Sequence, residues 1–81
     1  MYTLYILKCG DSSLYTGITR NLKNRLKTHR AGKGSKYVRS HLPIEVIYTE
    51  QYTNKILAAK REAEIKSWTR QQKIKKLKLK V

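Results

Sequence analysis

Two apolar runs near the N-terminus, YTLYILK over Tyr2 to Lys8 and SLYTGI over Ser13 to Ile18, are separated only by Cys9-Gly10-Asp11-Ser12. Both runs are rich in β-branched, aromatic and aliphatic residues, and the four residues between them are turn formers. The segment therefore predicts a β-hairpin. With the loop at Gly10 to Ser12, Leu7 opposes Tyr15 and Tyr5 opposes Gly17. Tyr5 and Tyr15 then share a sheet face as diagonal neighbours, about 7–8 Å apart. Gly17, inside the second strand, marks a bulge or a close backbone approach.

The rest of the chain must supply what pairs with and covers this hairpin. Asn21 is suited to cap a helix from Leu22 to about Arg30, with Leu22 and Leu26 one turn apart and Gly32 as a left-handed stop. Gly32 to Ser35 reads as a loop, and Lys36 to Ser40 as one short turn of helix in a segment that Pro43 ends. Ile44 to Tyr52 alternates as a third strand, with Ile44, Val46 and Tyr48 on one face. From about Thr53 to Gln71 the pattern is helical, with Leu57, Ala58, Ile65 and Trp68 sharing a face. The tail, Gln72 to Val81, admits three readings. Ile74 and Leu77 fit a helical turn, Leu77, Leu79 and Val81 fit a strand, and five lysines fit a basic arm that orders on a partner. The expected architecture is one α+β domain over residues 1–81, with a basic tail at 72–81. Its order is β-β-α-β-α-α, a small three-stranded antiparallel sheet flanked by helices.

Charge narrows the partner. Nineteen Lys and Arg face only Asp11, Glu45, Glu50, Glu62 and Glu64, a net charge of +14. Such an excess favours polyanions, because neutralising phosphates releases condensed counterions. Nucleic acid is the expected partner, and no obligate protein partner is evident. A site needing three or four clustered acids would recruit nearly every carboxylate in the chain, which argues against that class of nuclease. Cys9 stands alone, so neither a disulfide framework nor a zinc site of paired cysteines is expected. No apolar run approaches the roughly 20 residues that span a bilayer, and the N-terminus lacks a signal-peptide plan. A cytoplasmic protein without a membrane partner is the expectation.

Among the acids, Glu62 falls on the apolar face of its helix, four residues after Ala58 and three before Ile65. It is either salt-bridged at the core edge or a metal ligand, and Mg²⁺ suits a site with only one or two carboxylates. Arg25 and His29 lie four apart on the first helix, flanking the Leu22–Leu26 face. Arg25 is able to clamp a phosphate, and His29 to move a proton near neutral pH. Either is equally at home as an ordinary surface Arg or helix-end His. Tyr5 and Tyr15 are ordinary strand residues unless cations lower their phenol pKa. Arg20, Lys23, Lys27, Lys33, Lys36 and Arg39, on and around the first helix, are the candidate phosphate contacts. Glu64-x-Lys66 resembles part of another nuclease motif, but that motif belongs on a strand and here sits on a predicted helix.

Taken in order, these residues resemble the GIY-YIG nuclease superfamily. Leu4-Tyr5-Ile6 covers the end of its first motif, and Tyr15-Thr16-Gly17 stands at its second. Arg25 in NLKNRLKTH, His29 one turn later, and Glu62 in KREAEIKSW match its arginine, its Tyr or His, and its glutamate. The resemblance spans about residues 2 to 68 and is similar to the short stand-alone bacterial members, whose domain resembles the nuclease domains of excinuclease and of certain homing endonucleases. It implies hydrolysis of phosphodiester bonds in DNA with one Mg²⁺ or Mn²⁺ on Glu62, and RNA is a second possible substrate. Arg25 would stabilise charge on phosphorus, and Tyr15 would take the proton of the attacking water, with Tyr5 and His29 positioning or relaying. The chain also departs from the pattern. Thr3 and Thr16 replace a glycine and an aliphatic residue, and Ile18 stands where excinuclease-type members have lysine. No asparagine follows Glu62 at about a dozen residues. The alternative is therefore a weak or inactive DNA- or RNA-binding module on the same fold. A ribosome-associated protein in which the motif residues merely pack would have to explain Tyr15, Arg25 and Glu62 separately.

Overall fold

The computed structural model of the chain describes residues 1–81. Strands β1 (Tyr2–Cys9), β2 (Leu14–Thr19) and β3 (Ile44–Tyr52) form an antiparallel sheet in the order β2-β1-β3. Helices α1 (Leu22–Arg30) and α2 (Lys36–Ser40) precede β3, and α3 (Lys55–Lys66) and α4 (Arg70–Leu77) follow it. The expected α+β class and three-stranded antiparallel sheet are both present. No helix is long and apolar enough to cross a membrane.

As the middle strand, β1 is buried on both faces. Leu4, Ile6 and Leu7 are wholly inaccessible to solvent, and each such side chain contributes about 1.5–3 kcal/mol through burial. Tyr5, Leu7 and Cys9 pack with Val38 and Ile44, with Leu22 and Leu26 of α1 beside them. On the other face, Leu4 and Ile6 pack with Ile65 of α3 and with Leu79. The sheet thus has α1 and α2 over one face, and α3 and α4 over the other.

The β1–β2 register sets Leu7 opposite Tyr15 and Tyr5 opposite Gly17, as the turn predicts. Strand β3 departs from simple alternation. Ile6 pairs with Tyr48 while the next residue, Leu7, pairs with Val46, leaving Ile47 as an extra residue. A bulge resets the two-residue period. Ile44 and Val46 therefore pack with Tyr5 and Leu7, whereas Ile47, Tyr48 and Tyr52 pack with Leu4 and Ile6. The expectation that Tyr48 shares a face with Ile44 and Val46 is corrected by that single residue.

The long C-terminal helix expected over Thr53 to Gln71 is two helices. The Ser67 amide bonds back to Ala63 and Glu64, ending α3. Thr69 Oγ1 then accepts from the Gln72 amide at 3.1 Å, and Gln72 Oε1 accepts from the Thr69 amide at 2.9 Å. This reciprocal capping box starts a new helix where an apolar period alone reads straight through. Leu57, expected on the buried face, is 47% exposed. The buried strip of α3 runs through Ala58 and Ile65, and Leu57 lies at its margin.

The tail takes the helical reading. Helix α4 runs to Leu77, Lys78 adopts a left-handed conformation with φ 53°, and Leu79 returns to the core beside Leu4, Ile6 and Ile65. A free basic arm is not what the structure shows.

Rotation of α3 about its axis is set by Arg61. Its guanidinium bonds to Glu50 on β3 at 3.1 Å, and Glu50 also accepts from the hydroxyls of Tyr48 and Tyr52. Each successive helical residue turns about 100° further round, so tying Arg61 toward β3 aims Glu62 elsewhere.

Candidate active site

Asn21 starts α1 by accepting the Asn24 amide at 3.1 Å, and Leu22 and Leu26 seat the helix on the Tyr5–Leu7 face. That seating carries His29, in the last turn, into the interior, where it is 1% exposed. Ala31 closes the helix and Gly32 follows in the left-handed region at φ 78°. The glycine thus serves as the expected stop.

His29 Nε2 lies 2.9 Å from the Tyr5 hydroxyl in a buried hydrogen bond. Burial first, and then the Arg25 cation, depress the imidazole pKa below its ordinary value. The Tyr5 phenol moves the other way. Burial is the main cause, Tyr15 and Glu62 add to it, and Arg25 opposes it. The pair is therefore neutral at pH 7. His29 Nδ1 is buried without any hydrogen-bond partner.

Two glycines hold this pair. A Cβ on Gly17 would sit 2.6 Å from the Tyr5 hydroxyl oxygen, and one on Gly34 would sit 2.7 Å from His29 Nδ1. Gly17 marks a close approach of backbone to side chain, one of the two meanings open from the sequence, and not a bulge.

Tyr15 lies against both members of the pair. Its ring centroid is 6.4 Å from that of Tyr5 and 5.7 Å from that of His29, edge-on to the imidazole. Tyr5 is 2% exposed whereas Tyr15 is only partly buried, so Tyr15 is the phenol that solvent reaches. Arg25 is half-buried one turn before His29, and its guanidinium takes part in no ion pair or hydrogen bond within the chain. Its positive charge acts on both Tyr5 and His29.

Glu62 approaches from the opposite layer. Helix α3 lies over the Leu4–Ile6 face, yet β2 is an edge strand and Lys66, the last residue of α3, reaches the Tyr15 ring on it. Glu62 Oε2 is 3.3 Å from the Lys66 ammonium, which in turn lies 6.0 Å from the Tyr15 ring centroid. Glu62 also acts electrostatically on Tyr5. The site thus straddles the β2 edge, joining side chains from both layers.

Two contributors lie outside the set expected from the sequence. Tyr37 of α2 stacks on Tyr15 at 5.9 Å and on His41 at 4.1 Å, and Lys66 caps the Tyr15 ring. The one signal for Lys66 is its i+4 spacing from Glu62; nothing in the local pattern of Tyr37 points to Tyr15. Of the six expected phosphate contacts, Lys33, Lys36 and Arg39 line one pocket with Gly32, Gly34 and Ser35. Lys23 and Lys27 are exposed one turn apart on α1, and Arg20 lies over the Tyr2 ring. Those three lie outside that pocket.

Comparison with known proteins places the chain in a family. The family model of the GIY-YIG catalytic domain matches residues 1–76. A UPF0213 protein of Staphylococcus haemolyticus is 50% identical over 72 residues, covering 89% of this chain and 88% of that protein. A UPF0213 protein of Streptococcus sanguinis is 49% identical over 71 residues, covering 88% and 82%. The solution NMR structure of a UPF0213 protein from Bacillus halodurans aligns with a TM-score of 0.63 at 37% identity, covering 96% of this chain and 84% of that one. That of the protein EF2693 from E. faecalis aligns with a TM-score of 0.68 at 39% identity, covering 95% and 82%. With a domain match along nearly its whole length and relatives half identical to it, this chain belongs to the GIY-YIG family, alongside the UPF0213 proteins.

Proposed function

We propose that this chain is a metal-dependent endonuclease that hydrolyses phosphodiester bonds of nucleic acid, with DNA the preferred substrate, and that residues 1–81 act as one catalytic unit. The observation that carries the reading is the buried Tyr5–His29 hydrogen bond seated behind Tyr15, with an unpaired Arg25 and a Glu62 carboxylate both acting on Tyr5. Packing alone accounts for a buried phenol and imidazole. It calls for neither a free guanidinium nor a carboxylate at the same place.

GIY-YIG nucleases are generally dependent on a divalent metal. No group of three His, Cys, Asp or Glu side chains converges in this chain; the partly exposed Glu62 carboxylate is the side chain that would hold the ion. Mg²⁺ and Mn²⁺ accept such a donor set, since Mg²⁺ often takes one or two carboxylates and keeps several waters. Bound there, the ion supplies Lewis-acid polarisation of the scissile phosphate and its leaving oxygen. Arg25 binds the phosphate and stabilises the charge that grows on its oxygens. Tyr15, the more exposed of the two phenols, would take the proton from the attacking water as its phenolate, the form that a cation bound beside it would favour, and end the step as the neutral phenol. The neutral Tyr5–His29 pair holds the Tyr15 ring in place and excludes water behind it. Arg20, Lys23, Lys27, Lys33, Lys36 and Arg39 attract and track the backbone. A cytoplasmic setting suits both the substrate and the single reduced thiol of Cys9.

One observation favours the alternative, a binding module with weak or no catalysis: Lys66 already neutralises Glu62. A cleavage assay in Mg²⁺ or Mn²⁺ on linear, branched and single-stranded DNA and on RNA, beside Glu62→Ala, separates the two. Metal-dependent cleavage lost in the variant supports the nuclease. Tight binding without cleavage of any substrate leaves the module.

A further inference from the structure

The connection from α1 to α2 forms an open surface pocket of about 440 Å³ lined solely by Gly32, Lys33, Gly34, Ser35, Lys36 and Arg39. Three of those six residues are cationic and none is hydrophobic. No acidic side chain lines the pocket, so nothing within it competes for the charge. The Gly34 and Ser35 amides donate to no acceptor within the chain, leaving two backbone donors available at the loop. Behind the loop stands His29, 1% exposed, whose unpartnered Nδ1 faces the Gly34 backbone so closely that a Cβ there would clash. On its other edge the same imidazole holds Tyr5. The pocket and the reactive centre are thus the two sides of one histidine.

Three cations around one pocket, with free amides at the loop, match the oxygens of a phosphate group. The Tyr15 ring lies against the same imidazole that Gly34 covers, so a strand crossing the reactive centre has a neighbouring phosphate within reach of the pocket. We propose that this pocket is a phosphate-binding subsite that holds a backbone phosphate of the nucleic-acid strand next to the one at Arg25 and Tyr15. The subsite deepens the nuclease reading and rests on it: it fixes the strand's register over the reactive centre without reading base sequence, as phosphate contacts do. It takes an internal phosphodiester, and a free phosphate ion is the competing source of the same chemistry.

The test is amide NMR on the full chain in EDTA, titrated in separate arms with inorganic phosphate and with an oligothymidylate lacking terminal phosphates. The expected result is saturable shifts centred on Gly34 and Ser35 in both arms, with the oligonucleotide binding more tightly. Replacing Lys33, Lys36 and Arg39 together with Gln should abolish that pattern and weaken oligonucleotide binding by at least about tenfold. The log–log salt slope should also flatten by about 0.7, one single-strand phosphate. A charge-matched control, Lys55→Gln with Lys60→Gln and Lys75→Gln, should retain the Gly34 shifts. Arg39→Gln alone gives the same reading at smaller amplitude if the triple variant unfolds. Shifts with inorganic phosphate only, or equal weakening by both triple variants, would overturn the subsite. Saturable Gly34 shifts in a protein that cleaves nothing would reject the nuclease reading instead. Cleavage with silent Gly34 and Ser35 amides would reject the subsite alone.

Discussion

The Lys66 ammonium bridges two elements of the site, standing 3.3 Å from Glu62 Oε2 and 6.0 Å from the centroid of the Tyr15 ring. A divalent ion on Glu62 would compete with it for the carboxylate. Partly exposed ion pairs of this kind are worth about 0.2–1 kcal/mol, so Lys66→Gln should tighten Mn²⁺ binding by up to about fivefold. Water-proton relaxation during a Mn²⁺ titration measures this directly. Unchanged or weaker binding would show that Lys66 does not compete for the carboxylate.

The two phenols should separate stability from chemistry. Tyr5→Phe leaves the buried His29 Nε2 without its 2.9 Å partner and should cost about 1–3 kcal/mol of stability. Tyr15 makes no side-chain hydrogen bond, and its ring contacts survive in phenylalanine. Tyr15→Phe should therefore unfold within about 0.5 kcal/mol of the parent while losing metal-dependent cleavage by about 100-fold or more. Urea denaturation and a single-turnover assay check the two halves.

Acid should weaken the fold through His29. Its folded pKa lies below the unfolded value of about 6.5 because burial, and then Arg25, disfavour the imidazolium. As pH falls through 6.5, the unfolded chain takes up a proton that the folded one refuses, and stability declines toward the depressed folded pKa. Above that window the contribution is constant. Urea midpoints between pH 7.5 and 5.5 should fall in the parent and fall less in His29→Gln.

The C-terminal lysines should prove to be carried by a fixed element. Leu79 is 8% exposed against Leu4, Ile6 and Ile65, so Leu79→Ala should cost about 2–4 kcal/mol. Exposed Lys80→Ala should change stability by less than about 0.5 kcal/mol. Equal, negligible effects on thermal unfolding would restore the picture of a loose arm.

The hairpin is legible in the sequence because a short turn counts out the register: once Gly10 to Ser12 is the loop, Tyr5 must oppose Gly17 and Tyr15 must oppose Leu7. One capped helix then delivers His29 to Tyr5, so the Tyr5, Tyr15 and His29 contact follows from local rules. What local rules miss is non-local. The bulge at Ile47 follows from fitting β3 to β1. The break at Ser67 to Thr69 reflects a capping box that competes with the apolar period running through Trp68. Lys66, the last residue of α3, and Tyr37, in the first turn of α2, meet at Tyr15 although their helices pack on different faces of the sheet.

Gly17 and Gly34 flank Tyr5 and His29 from opposite sides, each at a distance where a single methyl group collides. An alanine scan read by loss of activity would score both glycines with the catalytic side chains, although neither carries a group that can react. Variation is thus barred at these two positions by the shape of their neighbours. A comparison of GIY-YIG sequences would find the chemistry's footprint wider than the chemistry itself. The positions to relax first in redesigning this scaffold are the tyrosine and histidine, after which the glycines become free to change.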